Sequence, residues 1–316
     1  KLKYAYRDGG ASAPWDYVLV PNTINPQFPG LAFDDANRPW ISYFDASLNR
    51  FYLVTNSSTD GTGSWSMYEF PLTPSGAPAA MPAANNTAVG MYRHSGIVDP
   101  YMVIIDSNTT SKGVKFAVFS SLSRGWNTPV VIDALTAGAL GAAHLSTDSD
   151  SSGNMVVAYQ EINVGRVKYA VSLTAAGATW STPLSISGIN QGPGATIKIN
   201  PSTGSPVASY YDQTNNAVFV NQCSGTPSSC KTTGWTQTQV EGAAGVSGLT
   251  AATGQLLSTA MGFSSNGKVY AFFPRGQAND GNLMLANNFA GAFSSVAIAN
   301  GTNGSLPGTP ALNVGV

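Results

Sequence analysis

The prediction of the fold begins from residues 166–186, RVKYAVSLTAAGATWSTPLSI. From Val167 to Val171, apolar side chains alternate with polar or small ones, which is the two-residue period of a strand with unlike faces. Small residues at 175–177 interrupt this pattern, and Trp180 then opens a second apolar strand. The segment therefore predicts a β-hairpin, which would be marginally stable on its own.

The same hairpin pattern recurs along the whole chain. Further copies lie at 2–20, 50–70, 113–133, 216–240 and 282–298. Each copy carries one aromatic residue where its second strand begins, at spacings of 50, 61, 54, 55 and 58 residues: Trp15, Trp65, Trp126, Trp180, Trp235 and Phe293. A strand-only repeat of about 50 residues predicts the blades of a β-propeller.

Two shorter strand patterns precede five of the six hairpins, so each of these five units has the content of one antiparallel blade. The predicted blades, with strands a to d in chain order, span 23–70, 86–134, 140–188, 193–241 and 248–299. In the second blade, strand a is predicted at 91–98 and strand b at 101–105. The sequence thus predicts an all-β fold with four-stranded blades.

The sixth blade is predicted to form from both termini, residues 1–22 and 304–316, so that 1–316 is a single six-bladed domain. Such closure removes the exposed edge of a sheet. This blade is one strand short, and we expect the natural chain to extend further rather than the blade to have three strands. The chain begins at Lys1, without a signal peptide, which indicates a processed or trimmed protein.

The composition limits the class of partner. Charged residues make up 10% of the chain and the net charge is −1, which argues against electrostatic binding to nucleic acid or to an anionic membrane. No apolar run approaches the roughly 18 residues of a membrane span, so membrane insertion is not expected. Few charges and many small polar residues are typical of secreted or cell-surface proteins.

Two cysteines, Cys223 and Cys230, lie seven residues apart in the turn of the fifth hairpin. Their proximity predicts a disulfide bond and hence an oxidising compartment. The alternatives are a reduced pair or half of a metal site, and no second cysteine pair is present to complete a zinc site.

Strand b ends in an acid in four of the five complete blades. The endings are SYFD, VIID, AYQE and SYYD, and the fifth blade has FFPR instead; the residues concerned are Asp45, Asp106, Glu161, Asp212 and Arg275. In a propeller these b–c turns share one face with the d–a loops, around the channel mouth. The acids could bind a cation, a cationic partner or sugar hydroxyls. Alternatively, each acid caps its own turn through backbone N–H groups.

The two histidines, His94 and His144, fall on or near predicted innermost strands of adjacent blades, and Arg93 precedes the first. Together these three side chains could bind an anion or a metal at the channel mouth. The segment 148–154, DSDSSGN, resembles the start of a calcium loop with Asp148 and Asp150 as ligands, although a plain polar turn is the preferred interpretation. No other cofactor is expected.

The hairpin turns resemble the Asp-box of sialidase-type propellers, S-x-D-x-G-x-T-W. The matching residues are Ser58, Asp60 and the GTGSW run that ends at Trp65, with a degenerate copy, GATW, ending at Trp180. More broadly, residues 23–299 are similar to propeller repeats of bacterial extracellular proteins. The resemblance implies a propeller architecture; the Arg-Ile/Leu-Pro signature of sialidases is absent from the first blade, so their activity is not implied.

No GxSxG, HExxH, P-loop or CxxCH motif occurs. The sequence therefore predicts a non-catalytic recognition or structural module that binds a glycan or a surface protein at the channel-mouth face. The alternative is a glycan-active hydrolase or lyase that uses the channel-mouth carboxylates. A third interpretation is a repeat unit within a larger extracellular assembly.

Overall fold

The computed structural model describes residues 1–7, 13–71, 86–107, 112–135, 142–162, 165–189, 192, 194–212, 215, 217–241, 259–277, 280–288 and 290–300. The predicted closing segment 304–316 and the start of the predicted fifth blade, 248–258, lie outside these ranges. The chain divides into two compact units, Lys1–Ala134 and Leu135–Val316.

The first unit contains a hairpin and two sheets, all antiparallel. The amino-terminal hairpin pairs β1 (Lys3–Tyr6) with β2 (Asp16–Leu19). The first sheet has the order β3 (Pro26–Phe33), β4 (Pro39–Asp45), β5 (Arg50–Asn56), β6 (Trp65–Glu69). The second sheet has β7 (Thr87–His94), β8 (Ile97–Asp106) and β9 (Gly113–Ser120), and β9 pairs with both β10 (Gly125–Trp126) and β11 (Val130–Asp133).

The second unit contains three four-stranded antiparallel sheets, each in chain order. The third sheet has β12 (Ala142–Ser149), β13 (Met155–Glu161), β14 (Arg166–Val171), β15 (Leu184–Ser185). The fourth has β16 (Thr196–Ile199), β17 (Pro206–Asp212), β18 (Ala217–Cys223), β19 (Trp235–Glu241). The fifth has β20 (Ala260–Phe263), β21 (Val269–Gln277), β22 (Asp280–Asn287), β23 (Ser294–Asn300). Two short 3-10 turns, Ala175–Gly177 and Ser229–Lys231, are the only helical segments within the described residues.

Proline explains why strand d is broken in the second and third sheets. Both have a Thr-Pro pair just after the marker tryptophan, with the prolines at Pro129 and Pro183. Proline has no N–H group to donate to a strand ladder. Trp180 consequently makes only an isolated bridge to Ser172, and regular pairing resumes at Leu184.

The core consists of layers between successive sheets within each unit. Tyr4 and Val20 of the hairpin pack on Tyr43 and Val54 of the first sheet. Aromatic and aliphatic side chains of the first and second sheets form the next layer, and equivalent layers join the third to the fourth and the fourth to the fifth sheet. Inner strands are therefore buried on both faces: all seven residues of β4 and of β17 are buried.

Candidate functional site

The four acids that end strand b occupy the same position in their sheets; we call them the strand-end acids. Each pairs with the first residue of the next strand: Asp45 with Arg50, Asp106 with Gly113, Glu161 with Arg166, and Asp212 with Ala217. Arg275 pairs with Asn282, but there the ladder continues to Gln277, so this arginine lies two residues before the turn. The recurring position follows directly from the repeat.

Asp45 is fully buried and binds backbone on both sides of its strand. One carboxylate oxygen accepts hydrogen bonds from the N–H groups of Ser47 (3.0 Å) and Leu48 (3.2 Å), in its own b–c turn. The other accepts from Ile24 (3.1 Å) and Asn25 (3.3 Å), which precede strand a. Burial alone would raise the pKa of Asp45, but these four donors outweigh it and the pKa is below its usual value.

Asp212 has a similar arrangement in the fourth sheet. It is fully buried, and its carboxylate accepts hydrogen bonds from the backbone N–H of Asn215 (3.1 Å) and from the side-chain amide of Asn215 (2.7 Å). Asp45 and Asp212 therefore stabilise their own turns, as the turn-capping interpretation describes.

Asp106 and Glu161 instead pair with lysines of strand c. Lys115 Nζ lies 2.6 Å from Asp106, with both side chains nearly buried, and Lys168 Nζ lies 3.2 Å from Glu161. The equivalent positions in the first and fourth sheets hold Tyr52 and Phe219, which cannot form an ion pair. The identity of the third residue of strand c, lysine or aromatic, thus determines whether the strand-end acid forms an ion pair or binds its own turn.

Arg93 and His94 lie at the opposite end of the strands from the strand-end acids. Strand β7 ends at His94, and Ser95 and Gly96, with φ of 47° and 75°, form the turn, so the predicted strand over 91–98 is wrong in its bounds. Two positive φ values are typical of a tight two-residue hairpin turn. Both side chains therefore belong to the a–b end of the second sheet.

Each of these two residues has an acidic partner in the first unit. Arg93 binds Asp35 (3.0 Å), in the a–b turn of the first sheet, and His94 lies 3.0 Å from Asp99 and stacks on Tyr92. Asp99 also accepts hydrogen bonds from the hydroxyl and the backbone N–H of Ser121. Burial would raise the pKa of Asp99, but its hydrogen bonds with Ser121 and His94 outweigh it, so the pKa is lowered.

His144 lies at the other end of strand a, next to the strand-end acid of its own sheet. Strand β12 bulges between Ala143 and Ser146, and His144 adopts a left-handed backbone there (φ 51°). Phe28 (φ 51°) and Gly194 (φ 69°) hold the equivalent place in the first and fourth sheets. Burial lowers the pKa of His144 to about 4, so the imidazole is neutral at pH 7.

The calcium-like segment forms an a–b turn. Asp150 accepts hydrogen bonds from the N–H groups of Ser152 (2.9 Å) and Asn154 (2.8 Å), and Asp148 accepts one from Ile199 of the neighbouring strand (2.8 Å). Asp34 caps the corresponding turn of the first sheet in the same way as Asp150. In the part of the chain that the structure describes, no three His, Cys, Asp or Glu side chains are grouped so as to hold a metal ion.

The sequence motif S-Y-[FY]-D contains a contact that we did not predict. Thr87 donates to the carbonyl of Phe28 (2.8 Å) and bonds the hydroxyl of Ser42 (2.9 Å). Thr259 bonds the carbonyl of Gly194 (2.7 Å) and the hydroxyl of Ser209 (2.7 Å) in the same way. The serine three residues before the acid thus ties its sheet to the next, and its recurrence in SYFD and SYYD was the available signal.

The predicted disulfide bond between Cys223 and Cys230 is confirmed. Its loop packs on the third sheet, because the Tyr169 hydroxyl donates to the carbonyl of Pro227 (2.8 Å) and the Tyr169 ring meets Trp235 edge-on. The disulfide therefore fixes a loop that contributes to the layer between two sheets.

The Asp-box-like turn is ordered by Asp60. Its carboxylate accepts hydrogen bonds from the Ser58 hydroxyl (2.6 Å) and from the N–H and hydroxyl of Thr62, which lower its pKa to about 2. The Trp65 indole N–H donates to Gly61, and Trp180 and Trp235 make the same kind of bond within their own turns. These three marker tryptophans thus cap their c–d turns, whereas the buried indole N–H of Trp126 has no hydrogen-bond partner among the described residues.

Comparison with known proteins shows the fold and not a family. No known protein family and no curated protein sequence matches the chain. Among solved structures, it is similar to the fucose-specific lectin from Aleuria aurantia, with a TM-score of 0.54 and 13% identity over 89% of this chain and 82% of the lectin. It is also similar to the polysaccharide lyase Uly1, with a TM-score of 0.54 and 12% identity over 88% of this chain and 73% of the lyase. The chain has an all-β, propeller-like fold.

Proposed function

We propose that the protein is a secreted, non-catalytic glycan-binding module. The observation that carries this proposal is the surface around Asp45, where exposed apolar and amide side chains flank a carboxylate that is buried and hydrogen-bonded to the backbone. The shared fold with a fucose-specific lectin supports a sugar ligand.

The proposed binding surface is formed by residues 24–27 and 46–49, which we call the Asp45 loops. Because one buried carboxylate holds both loops, their geometry is fixed before a ligand arrives, and preorganisation reduces the entropic cost of binding. Ile24 and Leu48 are 59% and 46% exposed, and the side chains of Asn25 and Gln27 are exposed beside them. Apolar contacts and amide groups together suit a sugar ring with its hydroxyls.

A glycan array probed with the purified protein tests this proposal. We expect binding to a restricted set of glycans, and a loss of at least tenfold in affinity for the double variant Asn25→Ala/Gln27→Ala. Leu122→Ser is the matched control, since Leu122 is 77% exposed in a turn of another sheet. Absence of glycan binding, or equal binding by the loop variant, would contradict the proposal.

The second candidate is a glycan-active hydrolase or lyase, favoured by the shared fold with a polysaccharide lyase. A turnover screen on neutral and uronic-acid polysaccharides separates the two functions. Turnover that Asp106→Asn or Asp212→Asn abolishes, while both variants keep the wild-type unfolding temperature, would overturn the non-catalytic proposal.

We propose further that the domain is a six-bladed propeller closed by residues 1–22 and 304–316. The repeat of hairpins supports this count. A chain that ends at residue 303 should unfold at a lower temperature than the full chain, whereas an unchanged unfolding temperature would argue against closure by the tail.

The disulfide bond supports an extracellular or cell-surface location. Within the described residues, no helix has the length and apolar character needed to cross a membrane. A surface protein as partner, or a place in a larger extracellular assembly, remains a proposal from the repeat architecture.

A further inference from the structure

Three hairpins share a short motif on their first strand. The runs are LKYA at 2–5, VKFA at 114–117 and VKYA at 167–170, with a lysine in second place: Lys3, Lys115 and Lys168. The first and third runs also make the same ladder bond, since Val20 N–H donates to the Leu2 carbonyl (3.0 Å) and Ile186 N–H donates to the Val167 carbonyl (2.9 Å). The three lysines are therefore equivalent in sequence, and Lys3 and Lys168 are equivalent in register.

Two of these lysines bind the acid of an adjacent strand. Lys115 pairs with Asp106 and Lys168 pairs with Glu161, as described above. In both sheets the acid lies opposite the residue two places before the lysine, and an apolar residue, Ile104 or Tyr159, lies opposite the lysine itself. In both sheets, the strand that carries the motif thus pairs with a strand that ends in an acid.

Lys3 has no such partner among the described residues. Among the described residues β1 pairs only with β2, and no carboxylate lies within ion-pair distance of Lys3, whose ammonium instead lies 4.4 Å from the centre of the Tyr17 ring. Because antiparallel ladders alternate and Leu2 bonds Val20, the backbone groups of Lys3 and Ala5 face away from β2, towards the open edge. Trp15 and Tyr17, 66% and 60% exposed, extend the same hairpin face.

We propose that the open edge of β1 is a docking site for an extended segment of another polypeptide that ends in Asp or Glu. The segment adds as an antiparallel strand beside β1, in the place of the one strand that the proposed closing blade lacks. Its acid lies opposite Lys1 and pairs with Lys3, and its apolar residues lie opposite Lys3 and Ala5. Main-chain hydrogen bonds to an exposed sheet edge are a recurrent mode of peptide binding.

Residues 1–316 do not supply this acid. Of their 16 acidic residues only Asp8 lies outside the described ranges, and Asp8 lies between β1 and β2 in the same hairpin; residues 301–316 contain none. Pairing of two copies through this edge would bring Lys1, Lys3 and Arg7 of one copy against those of the other, which is unfavourable because like charges repel.

A labelled peptide with the sequence of residues 153–162, GNMVVAYQEI, tests the proposal by fluorescence anisotropy on the full chain. We expect saturable binding that weakens about three- to tenfold for the same peptide carrying Glu161→Gln, and equally for the protein variant Lys3→Met. The charge-reversed pair, Lys3→Glu with a Glu161→Lys peptide, should restore binding.

Ala5→Pro is the backbone variant, because it removes a donor at the open edge and keeps the bonds between β1 and β2. It should abolish peptide binding while leaving the unfolding temperature within a few degrees of wild type. No saturable binding, equal affinity for the Glu and Gln peptides, or concentration-dependent dimers abolished by Ala5→Pro would overturn the proposal, the last by making a second copy the occupant.

Discussion

The first and fourth sheets differ from the second and third in how they neutralise the acid at the end of strand b. Asp45 and Asp212 are fully buried and bind their own turns, whereas Asp106 and Glu161 bind lysines of strand c. The strand and its position are the same, so the difference lies in one neighbouring residue, aromatic in one pair of sheets and lysine in the other. A repeated acid is therefore not evidence of a shared ligand, because its partner changes from sheet to sheet.

Removing the turn-binding carboxylate should have the largest effect. Asp45→Ala leaves four backbone N–H groups without their acceptor, and we expect the free energy of unfolding to fall by about 3–5 kcal/mol in urea titration. Because the pKa of Asp45 is lowered in the folded protein, its contribution is present above the unfolded pKa and disappears as the pH falls below about 4. Wild type and variant should thus converge in acid.

Asp35→Ala serves as the control, since Asp35 is exposed and its pair with Arg93 lies at the surface. It should cost less than about 1 kcal/mol. An Asp45→Ala protein as stable as this control would mean that the carboxylate does not hold the turn.

Removing a lysine should have the next largest effect, graded by exposure. Lys115→Met leaves the nearly buried Asp106 without its counter-charge, and we expect a loss of about 2–4 kcal/mol. Lys168→Met should cost only about 1 kcal/mol, because Glu161 is 26% exposed and solvent can replace the lysine. Equal losses for the two variants, measured by urea unfolding, would show that burial does not govern these pairs.

These two kinds of site show what local sequence could and could not predict. The strands of a hairpin, its marker aromatic residue and the disulfide follow from patterns within that hairpin, and the repeat follows from the recurrence of the pattern along the chain. The partner of each strand-end acid depends on cross-strand register, which the sequence does not state. For His94, the strands predicted at 91–98 and 101–105 place the a–b turn at residues 99–100, whereas the turn lies at Ser95–Gly96 and Pro100 lies within β8 opposite Met91.

The pH dependence of the free energy of unfolding should distinguish His144 of the third sheet from Asp45 of the first sheet. Burial lowers the pKa of His144 to about 4, so between pH 6.5 and pH 4 the unfolded chain binds a proton that the folded chain does not. Stability should therefore fall by about 2 kcal/mol as the pH drops through this window, which lies above the window of Asp45.

His144→Asn should flatten the pH dependence of urea unfolding between pH 6.5 and pH 4, since Asn tolerates the left-handed backbone and does not titrate there. Phe28→Asn, at the equivalent bulge of the first sheet, is the matched control and should keep the slope. A slope that persists in the His144 variant would assign the proton to another group.

Removing the hydroxyl of the serine three residues before a turn-binding acid should have the smallest effect on the free energy of unfolding. Ser42 and Ser209 bond the threonine that begins the next sheet, whereas the equivalent residues in the second and third sheets, Val103 and Ala158, have no hydroxyl. Ser209→Ala should lower the free energy of unfolding by about 1 kcal/mol, because Thr259 keeps its bond to Gly194 and only one hydrogen bond is lost. Thr259→Val removes both bonds and should cost about twice as much. If instead the two variants were equally stable, the serine would be the dominant tie between these sheets, and the sheets that lack it would need another contact to hold them together.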